Sequence, residues 1–184
     1  SVVKTCCQIL RASSKLPLEW SAAHGARWRT ELPGQGWSSP IVVDETVFVT
    51  AAIPYGEEEP ESGFELVALL LDVDSGQLLK PVPLFRQSAS TSPKIHSKNS
   101  PASPTPVYDG QHVFVHFGHQ GTACITTAGD IVWRNDALGY APVHGNGGSP
   151  VVVDELLIFS RDGADIGEIT ALDKRTGAIA WRKP

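Results

Sequence analysis

Two short stretches of this chain carry imidazole and carboxamide groups at matching places. His96 and Asn99 stand ahead of Thr105-Pro106, and His144 and Asn146 stand ahead of Ser149-Pro150. Such groups can hold a metal, pair with an anion or bind a sugar hydroxyl. In glycine-rich turns they can equally satisfy backbone groups, and the residues alone leave both uses open. Trp37, in Gly34-Gln-Gly36-Trp37-Ser-Ser39, occupies the corresponding place before Pro40. Its ring could face a ligand or fill a junction between elements. Asp162, Asp165 and Glu168 place three carboxylates within seven residues, the kind of oxygen set that calcium takes. They lack the alternating spacing and closing glutamate of a dedicated calcium loop, so a solvated turn is the plainer reading. The chain shows no phosphate-cradling loop, no nucleophile elbow and no Ser, His and Asp arrangement with a recognisable context, so no residue is assigned a catalytic role.

The elements that must position these groups repeat along the chain. Ala171-Leu-Asp173-Lys-Arg-Thr176-Gly177-Ala-Ile-Ala-Trp181 reads A-x-D-x-x-T-G-x-x-x-W. Ala123 to Trp133 keeps the Ala, Gly129 and the Trp. Leu70 to Lys80 keeps Asp72, Ser75 in place of Thr, and Gly76. Ahead of each copy a Ser- or Thr-preceded proline (Pro40, Pro106, Pro150) stands seven residues before an apolar position, Val47, Val113 or Leu157. Two markers recurring in one order indicate an array of similar units.

Within the last unit, Val151–Val153 and Leu156–Ser160 flank a two-residue break, the pattern of a hairpin. Ile169–Leu172 and Ala178–Trp181 flank a turn in which Gly177 supplies a positive φ. Four short antiparallel strands per unit predict an all-β fold, a partial β-propeller of four-stranded blades. The predicted organisation is an irregular tail over 1–15, the end of a preceding blade over 16–37, and blades over 38–85, 100–135 and 145–184. Trp28, Trp133 and Trp181 then sit at blade ends, where inter-blade packing accounts for them. The stretch from Pro54 to Gly63, with four glutamates, reads as a solvated loop, and the Ser-, Pro- and Lys-rich stretch from Arg86 to Ser103 as a connection between blades. In a propeller the opening strands line a central channel, so His96, Asn99, His144 and Asn146 could converge near its axis.

The closing pattern resembles the tryptophan-docking motif of the quinoprotein (pyrroloquinoline-quinone, PQQ) β-propeller family. His96, Asn99-Ser-Pro101-Ala-Ser-Pro104-Thr-Pro106 and His144-Gly145-Asn-Gly147-Gly148-Ser149-Pro150 resemble a bacterial subfamily of such repeats. The resemblance implies a ring of seven or eight blades in which Ala171, Asp173, Thr176, Gly177 and Trp181, with Gly129, Trp133 and Gly76, hold neighbouring blades together. It also implies a periplasmic or extracellular location, although no signal peptide is visible. The enzymatic branch consists of calcium- and PQQ-dependent dehydrogenases with a stacking Trp, and some carry an adjacent cysteine pair beside the quinone; Cys6-Cys7 would be its counterpart here. The other branch is a propeller that serves as a docking surface for proteins. The repeat is specific for fold and weak for activity. The leading expectation is a non-enzymatic module, without a cofactor, that binds a ligand or another protein on the axial face. The alternatives are a fragment of a calcium- and PQQ-dependent dehydrogenase, or a sensor propeller joined to another catalytic domain.

Composition narrows the partners. A net charge of −5 argues against nucleic acid, which requires a basic footprint. No apolar run is long enough to cross a bilayer as a helix. Three cysteines without metal-ligand spacing do not suggest zinc, and Cys124, in a predicted strand, reads as a small buried apolar residue. Three blades plus part of another do not close a ring, so further blades or a second copy are expected, and the chain reads as a piece of a longer propeller.

Overall fold

The computed structural model describes residues 3–5, 19, 21, 24–56, 62–92 and 94–184. Three four-stranded antiparallel sheets follow one another, each a simple meander. The first contains β3 (Ile41–Val43), β4 (Thr46–Tyr55), β5 (Gly63–Asp72) and β6 (Leu78–Ser88). The second contains β7 (Val107–Tyr108), β8 (His112–His116), β9 (Thr122–Thr126) and β10 (Ile131–Asn135). The third contains β11 (Val151–Val153), β12 (Leu156–Asp162), β13 (Gly167–Asp173) and β14 (Ile179–Lys183). Ahead of them β1 (Val3–Thr5) pairs with β2 (Thr30–Leu32), a strand within the stretch the sequence reads as irregular. The arrangement is an open, partial β-propeller with no α-helix among the described residues.

The cores lie between sheets. Phe48, Ala52, Leu66 and Leu70 of the first sheet meet Val113, Val115, Phe117 and Ile125 of the second. Phe114 and Cys124 of the second sheet meet Leu157, Phe159 and Leu172 of the third. Successive side chains of a strand point to opposite faces. Val47, Val49, Leu69 and Leu71 therefore fill the other side of the first sheet, beneath Leu32 and Trp28. Burial on both faces is why β4 and β5 read as continuous apolar runs, without the alternation of a half-exposed strand. The third sheet has one such face uncovered: Val151, Val153 and Ile169 are each about half exposed. Cys124 is buried and unpaired, and burial pushes its thiol up to about 12, so it behaves as an apolar filler.

Strands β4 and β6 are longer than the sequence pattern suggests, and proline explains why. Pro54 falls inside β4 and pairs with Phe64. Pro81 and Pro83 fall inside β6, opposite Leu69 and Val67. Each lies where the strand has one neighbour only, so the missing N–H breaks no second ladder. Tyr55 and Gly63 are paired as well, leaving a shorter loop whose residues 57–61 lie outside the described ones, as do Cys6 and Cys7.

The repeated closing pattern has a physical basis. Asp173 Oδ1 accepts the N–H groups of Arg175 and Thr176 and the Thr176 hydroxyl, all at 3.0 Å. Asp72 does the same with Ser75. These bonds shape the turn before a glycine of positive φ, Gly76 (+71°) or Gly177 (+72°). Onto each glycine the preceding β-segment lays a ring: Trp28 on Gly76 and Trp133 on Gly177. The indole N–H then donates to the carbonyls of Val73 and Lys174 respectively, both at 2.9 Å. At Gly129 the stem of Lys80 lies where the tryptophan lies in the other copies, which explains the weak third copy. A lysine stem covers apolar surface while its ammonium stays in water.

The hairpin turns β3–β4 and β11–β12 place Asp44 (φ 52°) and Asp154 (φ 51°) in the left-handed region. The corresponding turn of the middle sheet uses Gly110. Relief of the Cβ strain should make Asp44→Gly and Asp154→Gly each stabilising by up to about 1 kcal/mol. A urea midpoint that falls in either variant would contradict this.

Candidate functional site

Because the strands alternate in direction, the connections between sheets share one end of the molecule with the β8–β9 and β12–β13 turns. The Ser/Thr-Pro markers tie those connections together. Ser39 N–H donates to Thr105 Oγ1 at 3.1 Å, and Thr105 N–H donates to Ser149 Oγ at 2.9 Å. Each marker hydroxyl thus receives the amide of the marker before it, a cross-sheet ladder that the sequence displays only as a recurring dipeptide.

On this end a cleft of about 290 Å³ is lined by His96, Lys98, Asn99 and His144. The two imidazoles meet edge to face with centroids 5.7 Å apart. The His144 carbonyl oxygen holds the two connections in register: it accepts His96 N–H at 3.3 Å and Asn99 Nδ2 at 3.1 Å. Asn99 Oδ1 accepts Ser100 N–H at 2.9 Å and the Ser103 hydroxyl. Lys98 N–H donates to His96 Nδ1 at 3.1 Å, so the neutral ring carries its proton on Nε2. Lys98 is a lining residue that the sequence reading missed, because a lysine in a polar connection looks like ordinary solvated surface.

Asn146 goes elsewhere. It is buried, with Nδ2 donating to Phe117 O at 3.2 Å and lying 2.8 Å from His119 Nδ1, while Oδ1 accepts the Tyr140 hydroxyl at 2.7 Å. A Cβ at Gly118 would overlap this carboxamide, so the site is closely packed. Burial pushes His119 down, against the opposing bond to Asn146. Burial likewise pushes Tyr140 up to about 12. Both rings therefore stay neutral around Asn146.

Trp37 is 57 % exposed and contributes its backbone N–H to Ala102 O at 3.0 Å; it does not line the cleft. The three carboxylates do not converge either. Asp165 Oδ1 accepts Ala141 N–H at 2.8 Å. Glu168 accepts the buried Arg161 guanidinium and, at 2.9 Å, the Thr170 hydroxyl. Burial pushes Glu168 up, but the bonds from Thr170 and Arg161 outweigh it and hold the carboxyl below its ordinary range. Among the described residues no three His, Cys, Asp or Glu side chains gather where they could hold an ion.

The last two sheets and their latching turns lie within residues 71–184, which a family model described as outer membrane protein assembly factor BamB matches. The chain belongs to this family of PQQ-like β-propeller repeats. Solved structures share its fold. The quinohemoprotein alcohol dehydrogenase ADHIIG from Pseudomonas putida HK5 aligns with a TM-score of 0.53 at 21 % identity, over 83 % of this chain and 21 % of that one. The quinohemoprotein alcohol dehydrogenase from Comamonas testosteroni gives 0.53 at 19 %, over 82 % and 21 %. A europium-containing methanol dehydrogenase gives 0.50 at 16 %, over 81 % and 24 %. The chain thus spans about a fifth to a quarter of these enzymes, and at such identities the likeness is one of fold alone. No curated protein matches the sequence.

Among the described residues, the side chains do not fit the calcium and PQQ that the family resemblance implies. Asn99 and Asn146 spend their oxygens within the protein, and Asp165 and Glu168 do the same. The cleft itself offers imidazoles and an ammonium in place of carboxylates. No membrane-spanning helix exists among the described residues.

Proposed function

We propose that this PQQ-like propeller repeat chain is a non-enzymatic binding module, which recognises a ligand or a protein on the end of the sheets that carries the cleft. The supporting observation is the meeting of His96, Lys98, Asn99 and His144 from two successive connections. The structural duties there fall on backbone atoms, on Asn99 and on His96 Nδ1, which leaves His96 Nε2, the His144 ring and the Lys98 ammonium for recognition. The opening strands line the axis of the propeller in this reading, and further blades or a second copy complete the ring. The turns built on Gly76, Gly129 and Gly177 act as the docking points of that ring. Family membership supports a periplasmic or extracellular site of action and a role in protein assembly.

The test is ligand-dependent thermal stabilisation, with calcium plus PQQ, small organic acids and sugars as the panel. A ligand at about a hundred times its Kd adds about 2.7 kcal/mol, or about 5–10 °C for a chain of this size. The expected result is such a rise in the native chain that disappears in a His96→Ala, His144→Ala double variant. An equal rise in both proteins would put the binding elsewhere. A rise with calcium plus PQQ would favour a dehydrogenase fragment.

A further inference from the structure

The chemistry of the cleft says more about what it takes, on the premise that it is the binding site proposed above. Its main acceptors are engaged. The His144 carbonyl takes His96 N–H and Asn99 Nδ2, and the His96 carbonyl takes Asn99 N–H at 2.8 Å. Asn99 Oδ1 takes Ser100 N–H and the Ser103 hydroxyl, and His96 Nδ1 takes Lys98 N–H. The groups that remain are weighted towards donors. His96 is left with Nε2–H, because its other nitrogen is occupied. The Lys98 ammonium makes no ion pair among the described residues. The His144 ring touches the His96 ring and takes part in no hydrogen bond among the described residues. Among the described residues no carboxylate lines the cleft, in a chain whose net charge is −5.

A neutral sugar wants donors and acceptors in comparable number, and a divalent cation wants oxygen or several bare nitrogens. Spare N–H donors with a full positive charge suit neither; they suit an oxyanion, to which charge-assisted bonds are the strong ones. We propose that the cleft binds the oxyanion group, carboxylate or phosphate, of a small ligand, with Lys98 supplying charge and His96 and His144 supplying directed N–H bonds.

The test follows the Lys98 amide and the His96 and His144 ring signals by ¹H–¹⁵N spectroscopy of the full chain. Inorganic phosphate, acetate and glucose are titrated separately, against sodium chloride at matched ionic strength. Saturable movement of these signals with phosphate or acetate is expected, and which of the two binds more tightly identifies the oxyanion. Lys98→Ala should keep the dispersed spectrum of the folded chain and bind roughly tenfold more weakly, the loss of about 1.4 kcal/mol. Movement no greater than chloride produces would overturn the proposal. Saturable movement with glucose alone would overturn the oxyanion class and leave the cleft as a site. Silence of these signals towards all three probes would remove the cleft as a site as well.

Discussion

Gly177→Ala lowers stability by about 2–5 kcal/mol, while the same change at Gly110 costs about 1–2 kcal/mol. Both glycines have positive φ, +72° and +97°, so each alanine pays the left-handed strain of about 1–2 kcal/mol. The surroundings then separate them. A Cβ at Gly110 meets nothing within 4 Å, whereas one at Gly177 would lie 2.6 Å from the Trp133 ring. The ring cannot move away freely, because its N–H is bonded to Lys174 O and Asn135 Nδ2 is bonded to Gly177 O at 2.7 Å. Overpacking of this kind costs about 1–3 kcal/mol more. Thermal unfolding of the two variants side by side checks the argument. Equal losses would mean that the indole does not hold the second and third sheets together.

Stability should also fall as the solution is acidified below pH 6.5, before most carboxylates titrate. His116 is buried, stacks on Phe159 with centroids 4.3 Å apart and lies 2.8 Å from Thr122 Oγ1 through Nδ1. Burial pushes its pKa down to about 3 from an ordinary 6.5. Between those values the unfolded chain binds a proton that the folded chain refuses. Stability is therefore full above pH 6.5 and declines at about 1.4 kcal/mol per pH unit as the pH falls towards 3. His119, also lowered by burial, adds to the decline. Asp72, Asp173 and Glu168 are held below their ordinary values and lose their contribution only at lower pH, so the window from 6.5 to 5 belongs to the histidines. Urea unfolding at pH 7 and pH 5 should show the difference, and His116→Gln should reduce it. An unchanged slope in that variant would assign the effect to other groups.

The repeat was legible because its chemistry is local. A Ser/Thr-Pro pair, a β-branched run, and an Asp-x-x-Thr-Gly turn each act within a few residues, and all three sheets follow from them. The lengths of β4 and β6 were not legible, since Pro54, Pro81 and Pro83 read as breaks until the neighbouring strands are known. Nor could spacing show that Lys80 stands in for a tryptophan, because the covering contact is made with Gly129, far along the chain. The site divides in the same way. His96, Asn99 and His144 stand ahead of the marker prolines of successive units, and the sheets bring them together. Asn146 sits beside His144 in sequence, but Tyr140 and His119 draw it into a separate buried cluster, a choice that depends on the backbone around Gly118.

The indole latches and the Ser/Thr-Pro latches between sheets reach towards the C-terminus. Trp28 donates to a carbonyl 45 residues later and Trp133 to one 41 residues later, while Ser39 and Thr105 hand their amides to hydroxyls 66 and 44 residues later. Each sheet is thus completed by groups made after it. At ribosomal speeds of about 5–20 residues per second, a finished sheet waits about 2–9 s for its indole's partner to be made. The order of these donors and acceptors lets one blade template the next, and the third sheet presents Val151, Val153 and Ile169 on its uncovered face.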